Sequence, residues 1–448
     1  MSVELDSMVN SDPKICELFC KLQSSQTIAI IVMVAFQLAL LLAVKIVEQE
    51  LDRRASEPTE WSNCCECGAK LGSKGRKPRQ LDTLIGKIKW SRRIGRCPNK
   101  CRIGQVAPLD QELGLEPNQK TCQSLKQAAC SLAVFVPYES AAILLSILTG
   151  VTVSSTSIHN WVQVAGSIAM QEIQQKIEAL SKDQLAECTL EGFEKVLLAI
   201  GADGVMVPFR PNGGSPSGKT VWREVKVGIV AWLQKKVTST GKEVCRPVYR
   251  QVVAVLGTID DLKPRIWIAA IACGILQADP NQVVWLSDGG VGFWRLFREV
   301  FTGYATPVLD FYHACQNAWK AIKPWLDGRT KKARDYFRKT RHLLRAGQAD
   351  LVLDDIHKAL LLDDLPPTVR KKLQNLYNYL STHRDHIDYA RFKELGLPIG
   401  SGMVESTCKW LIQQRFKGVG MRWSEDGFNN LLHLRLAWVN GTFDTLFV

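Results

Sequence analysis

Three carboxylates of this 448-residue chain stand in settings where acid chemistry would make sense. Asp203 interrupts the apolar run FEKVLLAIGADGVMVPF, Asp288 ends QVVWLSD, and Glu405 is the only acid in GSGMVESTCKWLIQQRFKGVGMRW, residues 400–423. Far apart in sequence, they matter only if a fold gathers them. Carboxylates brought to one point repel unless cations neutralise them, and their hard oxygens suit Mg²⁺ or Mn²⁺. Two such ions about 4 Å apart activate a water or 3′-hydroxyl on one side of a phosphodiester and stabilise the leaving oxygen on the other. Lys409, Arg415, Lys417 and Arg422, clustered around Glu405, would then meet the approaching phosphates. The plainer alternative pairs Glu405 with Lys409 at i+4 on a solvated helix face. Asp203, before Gly204, has its own plain alternative as a bulge residue.

A second group of chemistry-bearing residues lies earlier. Cys64 and Cys67 in NCCECGAK precede Cys97 and Cys101 in RCPNKCRI. Alternation in LDTLIGKIKWSRRIGR predicts a β-hairpin leading to the second pair. Four thiolates satisfy tetrahedral zinc and replace a core that so short a basic segment lacks, as in a zinc ribbon. Cys65 is a competing ligand, and four unrelated buried cysteines are the alternative.

The elements that must position these groups follow in order. Residues 137–165 read as a helix ending at Gly150 and a second beginning near Ser154 or Ser155, a helix-turn-helix pattern that an αα-hairpin would share. From about 190 three strands follow, carried by FEKVLLAIGADGVMVPF, WREVKVGIVAWL and YRQVVAVLGTI. Then come the helix LKPRIWIAAIACGILQ, the strand QVVWLSD, the helix GVGFWRLFREVF and the strand TPVLDFYHA, which carries Asp310 and His313. Residues 317 to about 390 read as helical, and 400–423 as the last long helical block. This order matches an α/β, RNase H-like core with an all-helical insertion, an architecture in which Asp203, Asp288 and Glu405 converge. The expected domains are an apolar helix region (1–58), the zinc-ribbon-like module (59–104), a helix-turn-helix region (105–188), the core's first part (189–316), the insertion (317–395) and the core's last part (396–448).

GGSPSGKT, Gly213 to Thr220, fits a P-loop expression and raises an NTPase as an alternative function. A P-loop needs a helix directly after the lysine to cradle phosphate. VWREVKVGIVAWL, rich in β-branched residues, predicts a strand there, and Pro216 removes an amide the loop would use.

Lys and Arg number 57 against 44 Asp and Glu, a formal charge of +13 that fits a polyanionic partner. The helical run KKARDYFRKTRHLLR adds Lys331, Lys332, Arg334, Arg338 and Lys339 as phosphate contacts. No signal peptide is evident before the apolar run, so the 14 cysteines are expected to be reduced or metal-bound. Ile28 to Val44 is apolar but for Gln37 and just long enough to span a bilayer. Its continuation into KIVEQELDRRA favours a buried or oligomerising helix that enters solvent, and a membrane anchor is not expected.

ADGVMVPF with WREVKVG downstream, WLSDGG, LDFYHA and SGMVESTCKWLIQQRFKGVGMRWS, in this order, resemble the DDE transposases of bacterial insertion sequences, closest to the ISKra group and more distantly to Mutator-like enzymes. The resemblance implies that Asp203, Asp288 and Glu405 form the catalytic triad on two Mg²⁺ or Mn²⁺ ions, and that Asp310 and His313 form a D-x-x-H signature beside it. It implies a homo-oligomer in the prokaryotic cytoplasm, associated with the nucleoid. Such a protein would bind double-stranded DNA at the terminal inverted repeats and at the target, cleave a strand and transfer it. A catalytically silent DNA-binding regulator of the same descent is the alternative.

Overall fold

Pairing of two basic strands organises the first part of the chain. The computed structural model describes residues 12–102, 106–180, 197–211, 218–237, 239, 241 and 243–447, divided into two compact units, one up to Val162 and one comprising Gln163–Leu446.

In the first unit, helix α1 (Pro13–Ser24) starts where Asp12 accepts from the Lys14 amide at 2.9 Å, with Pro13 supplying a preset φ. Helix α2 (Ile28–Ser56) is apolar on every side in its first half. Val34 and Leu38, one turn apart, are buried, while Ile28, Val32 and Met33 are exposed. Of the buried or oligomerising helix expected, only burial within this chain is corrected, because one packed stripe cannot cover an all-round apolar cylinder. Only 11% of its most apolar window is buried, and the helix is long and apolar enough to cross a membrane.

Strands β1 (Gly72–Thr83) and β2 (Gly86–Arg96) form an antiparallel hairpin. It begins earlier than the sequence pattern predicts, because the basic run KGRKPRQ is itself part of β1. Leu81, Ile88 and Trp90 form a small core with Leu51 from the far end of α2. Asp110, on the short helix α3 (Pro108–Glu112), lies between Arg79 at 2.8 Å and Arg92 at 3.0 Å, all three withdrawn from water. A buried carboxylate is tolerated because two guanidinia satisfy it. Helices α4 (Gln123–Phe135) and α5 (Tyr138–Thr149) follow, and α6 (Ser155–Leu180) begins in this unit and continues into the second. The α5–α6 pair has the boundaries expected, and Tyr138 meets His159 edge to face across it, centroids 5.3 Å apart.

The second unit is built on a five-stranded mixed sheet in the order β5-β4-β3-β6-β7. Strands β3 (Leu197–Phe209), β4 (Val221–Val237) and β5 (Glu243–Leu256) are antiparallel neighbours. Strands β6 (Val283–Ser287) and β7 (Thr306–Leu309) run parallel to β3. Between β5 and β6 lies α7 (Ile259–Ala272), opened by a reciprocal Thr258–Asp261 capping box. Helix α8 (Val291–Leu296) continues through a π-helical turn, Phe297–Phe301.

Helices α9 (Phe311–Trp325), α10 (Lys331–Arg345), α11 (Ala349–Leu360), α12 (Pro367–Thr382) and α13 (Tyr389–Glu394) fill the stretch read as helical. Helix α14 (Gly402–Thr407) runs through a π-helical turn, Cys408–Gln413, into α15 (Gln414–Phe416). This block is not the last helix: Ser424 caps a further one, α16 (Glu425–Val439), whose Leu431, Leu432 and Leu434 are fully buried. Beyond it, Asn440 pairs its side-chain amide with both backbone groups of Val252, at 2.9 and 2.8 Å, and so occupies part of the β5 edge.

Strand alternation assigns the faces. Gly201 pairs with Ile229 and Ala202 with Gly228, so residues 201, 203, 227 and 229 share one face and 202 and 228 the other. Ile266 of α7 lies against Gly228, and Val404 of α14 against Gly201. Helices thus cover both faces, and Asp203 is on the α14 side.

Candidate functional site

The parallel register of β3 and β6 pairs Gly201 with Leu286. Two residues on from this pair, Asp203 is still within β3 and Asp288 is just past the end of β6, on chains whose strands are spaced about 4.8 Å apart. Asp203 lies mid-strand opposite Val227 in an unbroken register, not in a bulge. One of its oxygens, Oδ1, accepts from the Gly204 amide at 2.7 Å. Asp288 leaves β6 in a turn where its Oδ1 accepts from the Gly290 amide at 2.9 Å. Gly289 holds that turn at φ +98°, and a Cβ there would sit 2.6 Å from the Tyr379 ring; both conformation and space require glycine. The Tyr379 hydroxyl donates to the Asp288 carbonyl at 3.0 Å.

Glu405 is delivered by α14. Where Val404 packs on β3, a Cβ at Gly201 would be 3.3 Å from the Val404 Cβ, so a bare backbone lets the helix come close. Three residues after Glu405, the Cys408 thiol points at Asp203 Oδ2 across 3.9 Å.

Asp310 and His313 are not on a strand as the sequence pattern predicts. Strand β7 ends at Leu309, and Asp310 caps α9 by accepting from the His313 amide at 2.6 Å. Its other oxygen accepts from the Ser401 amide, and from the Ser401 hydroxyl at 2.7 Å. Asp310 thereby ties the start of α9 to the start of α14. His313 Nδ1 lies 3.3 Å from Asp310 Oδ1 and 3.6 Å from Glu405 Oε1, without a hydrogen bond of ordinary geometry to either.

The electrostatics follow from this crowding. Burial raises the Asp203 pKa; the Gly204 amide and His313 oppose it, while the charges of Asp288 and Glu405 add to it. Burial also pushes Asp310 upward, yet donations from His313 and Ser401 hold it below the usual carboxylate range. The Asp310 carboxylate raises His313 against the effect of burial, with Asp288 and Glu405 adding to the rise. Carboxylates with so few donors attract cations, and the proton that His313 holds is one of them.

Ligand atoms of Asp310, His313 and Glu405 lie within 4.8 Å of one another and can hold a metal ion. Both Asp310 oxygens already accept hydrogen bonds, so ligation by Asp310 would compete with Ser401. Asp203 Oδ2 meets only a weak thiol donor, and Asp288 Oδ2 and Glu405 have no hydrogen-bond donor among the described residues. The donor set of Asp203, Asp288 and Glu405 is all oxygen, which fits Mg²⁺ or Mn²⁺. Ser401, Cys408 and Tyr379 are site neighbours that sequence reasoning missed. Ser401 and Cys408 sat inside the quoted Glu405 motif, whereas nothing in the local sequence marks Tyr379.

In the other unit the four sulfurs of Cys64, Cys67, Cys97 and Cys101 lie within 4.8 Å of one another and can hold a metal ion. Cys65 is exposed and outside the group. The hairpin makes the cluster: pairing of Gly72 with Arg96 brings the flanking knuckles side by side. In the first knuckle the Cys64 and Gly68 amides donate to Ala69 and Cys64 at 2.8 and 2.9 Å. The Ala69 amide, with the neighbouring thiols and Asn99, lowers Cys67 to about 6. Hydrogen bonding with Cys67 and Cys97 raises Cys101 in turn, so without a metal these thiols share protons that zinc binding would displace.

The basic residues divide. Lys409 is exposed; Lys417 is exposed with its ammonium over the Trp222 ring, 5.6 Å from the centroid. Arg422 donates to the Gly218 carbonyl at 2.8 Å. Arg415 is buried, its guanidinium over Trp423; the expected phosphate contact is corrected, because this side chain points into the packing of its own helix end. On α10, Arg338 and Lys339 pair with Asp335 and Asp355, while Lys331, Lys332 and Arg334 are exposed. Most of the P-loop-like segment lies outside the described residues, but Thr220 is followed at once by β4, where a P-loop needs a helix.

Comparison with known proteins adds the following. The sequence model of an uncharacterised protein family, UPF0236, matches residues 68–211. A relative from Streptococcus gallolyticus, described as "UPF0236 protein in vanSb 3′region", is 27% identical over 380 residues, covering 82% of this chain and 74% of the relative. Among solved structures, the Drosophila P element transposase strand transfer complex aligns with 75% of this chain and 83% of that chain, at 14% identity and a TM-score of 0.24. A likeness at that score establishes neither a fold nor an activity.

Proposed function

We propose that this chain is a metal-dependent DNA transposase of the DDE type, of the ISKra group, in which an RNase H-like core carries Asp203, Asp288 and Glu405 as the catalytic triad. One observation supports the reading: the parallel register of β3 and β6 ends just before Asp203 and Asp288, and Val404, next to Glu405, packs on β3 at Gly201, two residues from Asp203. When bound, two Mg²⁺ or Mn²⁺ ions would supply the Lewis acidity that activates the attacking hydroxyl and stabilises the leaving oxygen. Asp203, Asp288 and Glu405 would hold them. Asp310 fixes the α9 and α14 starts relative to each other, and His313 stands where it can take or give a proton at Nδ1 or contact a phosphate oxygen.

The remaining parts acquire roles on the same reading. Cys64, Cys67, Cys97 and Cys101 bind structural zinc in a ribbon-like module over 59–104, and the helix-turn-helix region, 105–188, reads the terminal inverted repeats. Residues 189–316 and 396–448 form the core and 317–395 the insertion. Lys409, Lys417 and Arg422 approach the DNA, two or more copies hold the paired ends, and the protein works in the cytoplasm at the nucleoid.

The test is incubation of the purified chain with duplex DNA carrying the ends of its own element, with Mg²⁺ or Mn²⁺. Nicks at the repeat boundaries, abolished by Asp203→Ala with binding retained, are the expected result. Wild-type protein that binds the ends yet never cuts would instead identify a silent regulator.

A further inference from the structure

A cleft of about 1010 Å³ lies among α9, α12 and the turn after α9, and nothing in the chemistry above uses it. Its walls present Lys320, Lys323, Arg329 and Lys372 against a single acid, Asp327. Asp327 is engaged: it takes Arg329 at 3.0 and 2.9 Å. Among the described residues no carboxylate pairs with Lys320, Lys323 or Lys372. Three ammonium groups facing one concavity repel one another, and an external polyanion relieves that repulsion.

Two features narrow the occupant. The cleft is as large as the largest small-molecule sites, which run to about 1000 Å³, and its lysines come from two helices, so their charges are spread rather than focused on one phosphate. Its inner wall includes Tyr379, whose hydroxyl holds the Asp288 carbonyl and whose ring lies against Gly289. The cleft therefore adjoins the turn that presents Asp288. Leu376, Ala321 and Pro324 give it apolar walls on which sugars and bases can rest.

We infer that this cleft holds the sugar–phosphate backbone of one DNA strand running to or from the carboxylate centre, an inference that rests on the transposase reading for its substrate. Lys320, Lys323 and Lys372 each neutralise a phosphate, and Tyr379 separates the strand from the Asp288 turn.

The test measures binding of the full-length chain to an oligodeoxythymidylate, which carries no repeat sequence, across a salt series. Replacing Lys320, Lys323 and Lys372 together by Gln should weaken binding at least tenfold and flatten the log–log salt dependence by about 2. An unchanged slope overturns the inference. Millimolar ATP that abolishes the difference between wild type and variant would assign the cleft to a free nucleotide and also overturn it. A readout without mutation guards against misfolding: the oligonucleotide should protect these three lysines of the wild type from acetylation while exposed Lys358 stays reactive, and equal modification would refute strand binding. The outcomes separate the two readings. A three-lysine slope in a protein that never cuts sinks the transposase proposal and keeps the cleft; cutting with an unchanged slope does the reverse.

Discussion

The thiol cluster and the carboxylate cluster gather their ligands by opposite means. Four thiols come from two knuckles at the open end of one hairpin, so forming a single antiparallel pair nearly completes the site. The acids come from a strand, a strand-end turn and a helix that meet only when a five-stranded sheet and its covering helices are assembled. A cluster made locally can stabilise its own small module; one made by long-range packing borrows its geometry from the whole unit. Loss of one acid should therefore end chemistry and leave the fold standing, whereas loss of one thiol should cost structure.

The largest expected effect on activity tests the first half of that contrast. Asp288→Asn keeps shape and the Gly290 amide contact but removes a charge. End cleavage should fall by about 1000-fold or more, equivalent to about 4 kcal/mol of transition-state stabilisation, with DNA affinity and thermal unfolding unchanged. A variant that unfolds as readily as it loses activity would break the comparison. The second effect tests the other half. If the cluster holds the proposed zinc, Cys97→Ser should release it, measured by a chromophoric chelator, and open residues 59–104 to protease while the second unit stays resistant. Metal-coupled folding of such modules is worth about 10 kcal/mol or more, so a protease-resistant, metal-free module would contradict the assignment.

The same contrast explains what the sequence disclosed. The cysteine cluster and the elements that carry Asp203, Asp288 and Glu405, a strand, a strand end and a helix, are legible because each lies in a short stretch with its own spacing or periodicity. Asp310 was read on a strand because TPVL is one and the N-cap begins only at the next residue; capping is decided by the Ser401 and His313 amides, which sequence does not show together. Arg415 is expected at the phosphates only as one of several basic residues near Glu405, and its burial over Trp423 is a tertiary contact that the local sequence does not show. The exposure of α2 was not legible either, since an all-round apolar helix looks the same whether or not something covers it.

A smaller effect sharpens the link between the helices and the acids. Gly289→Ala must adopt a left-handed φ and push against the Tyr379 ring, costing about 3 kcal/mol. Tyr379→Phe removes only the hydroxyl that holds the Asp288 carbonyl, about 1 kcal/mol. If the turn sets the position of Asp288, Tyr379→Phe should lower cleavage more than that loss of stability explains, and the Gly289 variant should lose both. Denaturant melts alongside cleavage rates read the two quantities separately, and equal cleavage by wild type and Tyr379→Phe would show that the turn holds itself.

The last effect, seen only on acidification, concerns a buried group remote in role from either cluster. His433 on α16 donates from Nδ1 to the Asn429 carbonyl at 2.8 Å, and burial lowers its pKa to about 4. In the unfolded chain the imidazole titrates near 6.5, so between these values the unfolded state binds more protons. Stability carried by the neutral ring is thus complete above about pH 6.5 and is lost as the pH falls towards 4. From pH 7 to pH 5 the loss should be about 2 kcal/mol. His433→Gln should be less stable than wild type at pH 7 and show a correspondingly flatter decline on acidification. Parallel curves for the two proteins would mean that water reaches the ring in solution. The second unit would then be looser around α16 than its packing indicates, and the rigidity on which the acid cluster depends would have to come from α14 and β3 alone.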